Sequence, residues 1–305
     1  MHRGRGCRTV HRAMKTIQLR AGPVTALVDP VHGGRLASLV IRGRERLITE
    51  PDPRADLPAI TWGAFPMVPW VGRLRRGHVD WNGTTFDVGR NFDGHAIHGT
   101  TFDRPWSVVM SDERSARMTC RIGDGDGWPF AAEVDHQVEL GDDSIAFQMA
   151  IRAATAMPVA VGWHPWFRRA DGEPMRVVVP SDKVLETTAD LIPTGAIVPV
   201  AGPTDLRDMV EVGDRSLDHA YVGVSGPSRL AWEDLELTIH AEPLASIVVH
   251  TTPTGVCVEP QTAWPDAIRL HGRGLRTGLV AVPAGGTFRA ASRWTWQDTD
   301  ERQRT

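Results

Sequence analysis

The sequence predicts an all-β protein that folds as one large, mostly antiparallel β-sandwich. Short runs rich in Val, Ile, Thr and aromatic residues recur along the chain. Most alternate at period two, and Gly, Pro, Asn or Asp bounds them. The 30 glycines and 22 prolines supply the turns that so many strands require. We find no amphipathic helix of about twelve residues or more, and no alternation of strands with helices, which argues against a parallel α/β sheet.

The predicted strands follow one another along most of the chain. In order they are KTIQLRAG, VTALVDP, RLASLVIRG, HVDWNGTTFDV, SIAFQMAIRA, MRVVVP, LELTIHAE and SIVVHTT. Within the fourth run, Asn82-Gly83 predicts a type I′ hairpin turn, because both central residues of that turn need positive φ. No Ser-, Gly- or charge-rich linker divides the chain after residue 20, so residues 14–298 are predicted to form one domain. The Arg- and His-rich residues 1–13 are predicted to be a disordered extension, with Met14 as a candidate natural start.

The composition is that of a soluble globular protein, with 41% hydrophobic and 23% charged residues. The net charge of -3 has both signs interspersed, which argues against a nucleic-acid or membrane-surface partner. No apolar run approaches the roughly 18 residues of a membrane span, and the basic N-terminus lacks the apolar core of a signal peptide. The three cysteines are scattered without a pairing pattern, so we expect reduced thiols and a cytoplasmic protein.

Glu259, in the run GVCVEPQT, is a candidate general base. On an extended strand, Cys257 and Glu259 point to one face, while Val256 and Val258 point to the other. Burial among apolar residues disfavours a charged carboxylate and raises its pKa toward the range useful for proton abstraction. The alternative is a glutamate that faces water, since Pro260 removes a ladder donor and marks an edge strand or a strand end.

His164 lies between two tryptophans and a proline in VGWHPWF and is a candidate proton donor, because the pKa of imidazole is about 6.5. If the strand before it is unbroken, Gly162 shares its face and leaves space, while Trp163 packs into the core on the other face. Pro165 is expected to stop the strand. Trp166 then walls a cavity, and an aromatic face suits the C–H faces of a sugar. The alternative is an ordinary core histidine with its hydrogen bonds satisfied.

Three further polar residues stand out, each with an ordinary alternative. Arg73 follows FPMVPWVG, a Pro-rich stretch that is not expected to form regular strand, and is otherwise a surface charge. Asp218, in SLDHAYVG, is otherwise a turn-capping residue. His98 follows His95 by three positions, so on an extended strand the two rings point to opposite faces.

No metal or cofactor site is predicted. Because His95 and His98 point apart, they are not expected to chelate one ion together. Cys7, Cys120 and Cys257 add no closely spaced zinc ligands. The sequence also lacks a glycine-rich phosphate loop and the G-x-S-x-G elbow of serine hydrolases.

Taken together and in order, these segments resemble the aldose 1-epimerase (mutarotase) family. The matching segments are GGRLASL, PMVPWVGRLRRGHVDWNGTTFDV, HGTTFDRPW, GWHPWF, LDHAYVG and CVEPQT, which cover nearly the whole chain. The resemblance implies a galactose mutarotase-like supersandwich fold. It also implies interconversion of the α and β anomers of a free aldohexose such as galactose or glucose, without cofactor or metal, by a monomer or homodimer.

The resemblance also implies a role for each candidate residue. Glu259 matches the general base that takes the proton from the C1 hydroxyl, and His164 matches the acid that protonates the ring oxygen. His98 supports the ring-oxygen side, while Arg73 and Asp218 bind sugar hydroxyls. On this basis we expect the carboxylate and the imidazolium on opposite sides of the sugar.

Two departures from the family's pattern leave the preferred sugar open. Gly72 precedes Arg73 where many relatives have asparagine, and Trp166, expected to contact the sugar, stands where tyrosine is common. Arg168 and Arg169 keep phosphorylated hexoses open as substrates. A non-catalytic sugar-binding module, and an epimerase or lyase acting on a modified sugar, are further alternatives on the same fold.

Overall fold

The computed structural model describes residues 16–123, 125–170 and 173–299. Over these residues the chain forms one eleven-stranded sheet, one nine-stranded sheet and three two-stranded sheets. All the strand pairs are antiparallel within this part of the chain, for example the long pair that joins Ala132–Leu140 to Ser144–Ala153. The all-β sandwich prediction is confirmed. The proposed extension at residues 1–13 and the candidate start at Met14 lie outside the described residues.

The strands are short, as the sequence predicts, and turns separate them. In chain order they are β1 (Ile17–Ala21), β2 (Val24–Asp29), β3 (Arg35–Ile41), β4 (Arg44–Glu45), β5 (Ala64–Met67), β6 (Arg73–Leu74), β7 (His78–Trp81), β8 (Thr84–Asp87), β9 (Ala96–Ile97), β10 (Ser107–Ser111), β11 (Ser115–Ile122), β12 (Ala132–Leu140) and β13 (Ser144–Ala153). They continue as β14 (Met157–Val159), β15 (Gly162–Arg168), β16 (Arg176–Val178), β17 (Lys183–Thr187), β18 (Pro193–Pro199), β19 (Val210–Glu211), β20 (Asp218–Val222), β21 (Ser228–Ala231), β22 (Leu235–Glu242), β23 (Ser246–Thr251), β24 (Gly255–Gln261), β25 (Val280–Val282) and β26 (Thr287–Asp298).

Helical segments are short within the described residues. Three 3₁₀ turns lie at Pro58–Ile60, Arg75–Gly77 and Gly202–Thr204, and a six-residue helix, α1, spans Ala267–Gly272. Among the residues that the structure describes, no helix is long and apolar enough to cross a membrane.

The order of the strands places β15 and β24 side by side near the middle of the larger sheet. That sheet runs β1-β2-β3-β5-β15-β24-β23-β20-β17-β18, with β4 attached to β3. The nine-stranded sheet runs β10-β11-β12-β13-β26-β22-β21-β16-β19. The strands β7 and β8 form the hairpin predicted at Asn82-Gly83, whose φ angles of 50° and 77° are those a type I′ turn requires.

Successive residues of β15 alternate between two environments. Trp163 and Phe167 are at most 1% exposed and belong to the main apolar core. There Trp163 meets Phe147 of β13, with ring centroids 6.1 Å apart, so this core joins the two large sheets. Trp166 faces the other way, into a smaller apolar cluster that also contains Phe65. The predicted face assignment of Trp163 is therefore correct.

One expectation about a proline is wrong, and a second is only partly right. Strand β15 continues through Pro165 to Arg168, paired with β5 on one side and β24 on the other. Pro260 is the next-to-last residue of β24 and so marks a strand end, but β24 is flanked by β15 and β23 and is not an edge strand. The ladder between β15 and β24 has no recorded pair between Gly162↔Gln261 and Trp166↔Cys257, so the missing proline N–H groups fall where the ladder is open.

The Pro-rich stretch before Arg73 is also partly regular. Phe65, Pro66 and Met67 belong to β5, which pairs with β15. Pro66 is tolerated because a proline loses only its own N–H, and the sheet supplies the remaining bonds around it. The expectation that this stretch forms no strand holds only from Val68 onward.

We expect Trp163→Ala to destabilise the protein by about 3–5 kcal/mol, because it empties a fully packed aromatic site in the main core. The indole N–H of Trp163 also donates to Nε2 of the buried His136 over 3.3 Å, and the substitution leaves that nitrogen unpaired. Denaturant unfolding measures the loss. Val109→Ala at a 54% exposed position is the control, expected within about 0.5 kcal/mol of wild type. A loss below about 1 kcal/mol for Trp163→Ala would contradict the core assignment.

Candidate active site

One cavity of about 160 Å³ brings the candidate residues together. All six site residues predicted from the sequence line its wall: Arg73, His98, His164, Trp166, Asp218 and Glu259. The cavity is below the several hundred cubic ångströms of a drug-sized pocket, so it suits a small ligand. A wider groove of about 1090 Å³ crosses the nine-stranded sheet, but none of the six lines it.

His164 and Glu259 form the centre of the site. The register Gly162↔Gln261 and Trp166↔Cys257 places His164 of β15 directly opposite Glu259 of β24. Their side chains are 6% and 3% exposed, and His164 Nε2 lies 3.2 Å from Glu259 Oε1. Glu259 is therefore buried on a central strand, and the alternative of a glutamate facing water is wrong.

Burial controls the protonation of this pair. It raises the pKa of the Glu259 carboxyl well above its usual range, and the neighbouring charge of Asp218 adds to the effect. It lowers the pKa of the His164 imidazole well below its usual range. Both shifts favour the neutral forms, a protonated carboxyl beside a neutral imidazole, and in that state the pair holds one proton between its two members.

Aromatic rings fix the plane of the His164 imidazole. Phe65 stacks on one side with a centroid distance of 4.7 Å and an interplanar angle of 22°. Trp166 is also stacked, at 5.6 Å and 18°. The indole N–H of Trp166 donates to the Ile60 carbonyl over 2.6 Å, which holds that ring in turn. His164 is thus a constrained side chain that presents its edge to Glu259.

Gln261 supports the carboxylate and was not identified from the sequence. Its side-chain amide donates from Nε2 to Glu259 Oε2 over 3.0 Å, and both residues are at most 2% exposed. The donated bond favours the ionised carboxylate and so opposes the effect of burial. A signal was present in the sequence, because residues i and i+2 of a strand share one face.

His98 contacts His164 from the side. Its backbone has a φ of 61°, so the residue is not on an extended strand as the sequence analysis assumed. The two rings meet edge to face with centroids 4.9 Å apart. Burial, and then the charge of Arg73, lowers the pKa of His98 to about 3, so it is neutral at physiological pH. It can exchange hydrogen bonds in the site, but it is not a cationic acid there.

His95 points elsewhere and does not line the cavity. Its Nδ1 accepts the Arg76 backbone N–H over 3.1 Å, and its Nε2 lies 3.2 Å from the Asp190 carboxylate. The expectation that His95 and His98 do not act on one ion agrees with this arrangement.

Arg73 is held at the cavity wall by two neighbours. Its guanidinium lies 3.3 Å from Asp93 and 4.8 Å from the centroid of the Phe92 ring. The preceding Gly72 has a φ of 59°, and a Cβ added there lies 2.7 Å from the Pro265 ring. Glycine at this position therefore follows from close packing against Pro265, which explains one departure from the family's pattern.

Asp218 is the first residue of β20, where it pairs in register with His250 of β23. His250 Nδ1 and Asp218 Oδ2 are 3.7 Å apart, and the His250 ring meets the edge of Trp166 at 5.5 Å. The sequence analysis missed His250, which lines the cavity. No local signal marks it, because it lies inside an ordinary strand run.

Cys257 lies beside two of the candidate site residues. Among the described residues, ligand atoms of His164, Cys257 and Glu259 lie within 4.8 Å of one another. Spacing along the chain could not reveal this group, because strand pairing assembles it. Cys257 and Cys120, the two cysteines within the described ranges, are both buried and unpaired.

Comparisons with known proteins agree with this fold. The family model described as aldose 1-epimerase matches residues 15–277. The chain is 28% identical over 165 residues to galactose mutarotase of Mus musculus, covering 50% of this chain and 47% of that protein. It is 24% identical over 107 residues to the uncharacterized protein YphB of Escherichia coli K12, covering 34% of this chain and 36% of that protein. The chain thus spans between a third and a half of the length of these curated relatives.

Solved structures share the fold over nearly their whole length. A GalM/aldose epimerase homologue from C. elegans superposes with a TM-score of 0.80 at 18% identity, covering 93% of this chain and 99% of that one. Galactose 1-epimerase from Lactobacillus acidophilus NCFM gives a TM-score of 0.76 at 18% identity, covering 93% and 94%. With the family model matching most of the chain, the protein belongs to the aldose 1-epimerase family.

Proposed function

We propose that the protein is a mutarotase that interconverts the α and β anomers of a free aldohexose such as galactose or glucose. The observation that carries the proposal is the buried contact of 3.2 Å between His164 Nε2 and Glu259 Oε1 inside a cavity of small-molecule size. In this proposal Glu259 is the general base and His164 is the general acid.

Ring opening requires two proton transfers around one carbon atom. The base removes the proton from O1, the acid delivers a proton to the ring oxygen O5, the C1–O5 bond breaks and the C1 carbonyl forms. Rotation about the C1–C2 bond followed by the reverse steps yields the other anomer. Each positioned proton transfer contributes about 10²–10⁴-fold to such a rate.

Glu259 and His164 are adjacent, whereas the sequence led us to expect them on opposite sides of the sugar. O1 and O5 are both bonded to C1, so a base and an acid that are neighbours can serve them together. Glu259 and His164 are such neighbours. Arg73 and Asp218, at other parts of the wall, are proposed to bind hydroxyl groups away from C1.

The proton count of the pair fits both halves of the reaction. The cyclic sugar reacts with ionised Glu259 and protonated His164, and ring opening leaves protonated Glu259 and neutral His164. Both states hold one proton, which is the number that the opposed pKa shifts of the two groups favour. We propose that neutral His98 exchanges a hydrogen bond on the ring-oxygen side, and that Trp166 offers its face to the sugar C–H groups.

A neutral sugar suits this cavity better than a phosphorylated one. Neither Arg168 nor Arg169 is among the residues that line it. The Arg169 guanidinium instead donates to the carbonyls of Thr252 and Gly213 at 3.0 and 2.9 Å. Within the described lining, Arg73 is the only arginine or lysine and is already paired with Asp93. A phosphate would also meet the negative charge of Asp218.

The test follows anomer equilibration by proton NMR, starting from freshly dissolved α-galactose and α-glucose, with α-glucose 6-phosphate as a third substrate. We expect acceleration above the buffer blank for at least one free sugar, and its loss in Glu259→Gln. Sugar binding measured by calorimetry without any acceleration would overturn the proposal in favour of a binding module. New products besides the anomers would indicate epimerase or lyase chemistry.

We expect a bell-shaped dependence of kcat/KM on pH. Activity falls on the acid side when the pair takes up a second proton, at a pKa that burial holds below the usual value for histidine. It falls on the alkaline side when the pair loses its last proton, at a pKa that burial holds above the usual value for glutamate. Initial rates from pH 4 to 10, corrected for buffer catalysis, check this; a profile without an alkaline limb contradicts it.

A further inference from the structure

Three side chains with different metal-ligating atoms converge beside the cavity. Ligand atoms of His164, Cys257 and Glu259 all lie within 4.8 Å of one another. Cys257 and Glu259 share one face of β24, and His164 stands opposite on β15, so strand pairing alone sets the group. The residues are 5%, 0% and 2% exposed, which distinguishes them from a solvated surface cluster.

The spacing is close to that of a tetrahedral zinc site. With zinc–nitrogen and zinc–oxygen bonds of about 2.0–2.1 Å, neighbouring nitrogen and oxygen ligands of one ion lie about 3.3 Å apart. His164 Nε2 and Glu259 Oε1 are already 3.2 Å apart. With a zinc–sulfur bond of about 2.3 Å, the sulfur lies about 3.6 Å from the other two ligands, so the thiol has to approach them by about 1.2 Å at most.

The set of ligands selects a class of ion. Imidazole and thiolate suit Zn²⁺ and Co²⁺, whereas Mg²⁺ and Ca²⁺ prefer oxygen ligands throughout. The adjoining cavity leaves a fourth position open to water, as in zinc sites with three protein ligands. The charge of Asp218 acts on both Cys257 and Glu259 and so favours a bound cation. The charge of Arg35 acts on His164 and disfavours a bound cation.

We propose that His164, Cys257 and Glu259 form an inhibitory site for a borderline-soft divalent cation such as Zn²⁺. The ion binds His164 Nε2, Cys257 Sγ and a Glu259 oxygen, and the thiol proton and the proton of the pair leave to solvent. Binding occupies the two groups that the proposed reaction needs, so the ion and the sugar compete. The inhibitory effect rests on the proposed function, whereas the binding of the ion does not.

The test uses Co²⁺ as a spectroscopic substitute for Zn²⁺ with the full-length protein. We expect a thiolate-to-cobalt charge-transfer band in the near ultraviolet that saturates at one ion per chain and disappears when Zn²⁺ is added. Cys257→Ser and Cys257→Ala are expected to lack the band. Cys120→Ser, at the other buried thiol, and Cys7→Ser are the matched controls and are expected to keep it.

The activity measurement then tests inhibition separately. We expect Zn²⁺ to slow anomer equilibration by wild type. Galactose should relieve this inhibition competitively, and a chelator should restore the full rate. The Cys257→Ser variant should be less inhibited by Zn²⁺ than wild type. Absence of the cobalt band in wild type, or its persistence in both Cys257 variants, overturns the proposal whatever the activity. Equal inhibition of wild type and Cys257→Ser also overturns it. A cobalt band in a protein that accelerates no sugar supports the ion site and refutes the mutarotase function and, with it, the inhibitory role.

Discussion

Glu259→Gln is expected to lower kcat/KM for anomer equilibration by about 10²–10⁴-fold, because an amide cannot take the proton from O1. Gln has the shape of Glu, so packing around the buried position is retained. The rate is measured by NMR as above. Gln137→Glu is a charge-changing control on β12 of the other sheet, outside the cavity lining, and is expected to leave the rate unchanged. A Glu259→Gln enzyme within about threefold of wild type would remove Glu259 from the mechanism.

The stability of Glu259→Gln relative to wild type is expected to increase from acidic to alkaline pH. The folded-state pKa of Glu259 is raised, so its contribution to stability is fully present below the unfolded value of 4.5 and is lost as the pH rises through the folded value. The contribution of a neutral Gln side chain to stability does not change over that pH range. Urea unfolding at pH 5 and pH 8 measures the difference, and an advantage of wild type that grows with pH would contradict the raised pKa.

His164→Phe is expected to lower kcat/KM by about 10²–10⁴-fold while leaving the fold intact. Phenylalanine keeps an aromatic ring in contact with Phe65 and Trp166, so the variant removes the proton donor without emptying its position. Denaturant unfolding and near-ultraviolet circular dichroism check that the structure is kept. His164→Gln is the second variant, since it is smaller and excludes overpacking as the cause.

The double variant Glu259→Gln/His164→Phe is expected to be about as slow as the slower single variant, because the acid and the base act in one concerted step. If the double variant were slower than wild type by the product of the two single fold-changes, the two residues would contribute independently. That result would leave the buried contact between them without a mechanistic role.

The strand pattern and the ordered motifs were sufficient to predict the sandwich and the residues that meet at the cavity. Period-two alternation placed Trp163 in the core, and the type I′ turn at Asn82-Gly83 followed from its φ requirement. These features depend on local chemistry that the sequence carries directly. The roles of the cavity residues remain predictions for the variants above to test.

The parts that sequence reasoning missed depend on which strands become neighbours. Nothing near His250 marks it as a cavity residue, because β20 and β23 bring it to Asp218. The grouping of Cys257 with His164 likewise needs the pairing of β15 with β24. Pro165 was expected to end a strand, since proline lacks a ladder N–H, whereas in β15 the missing group falls where the ladder to β24 is open.

The contact between Gly72 and Pro265 has an evolutionary consequence. Asparagine tolerates the left-handed backbone at position 72, but its Cβ would lie 2.7 Å from the Pro265 side chain. A relative with asparagine before the arginine must therefore carry a smaller residue, or a displaced loop, where this chain has Pro265. The two positions, far apart in sequence, are expected to change together across the family, and an alignment can show whether they do.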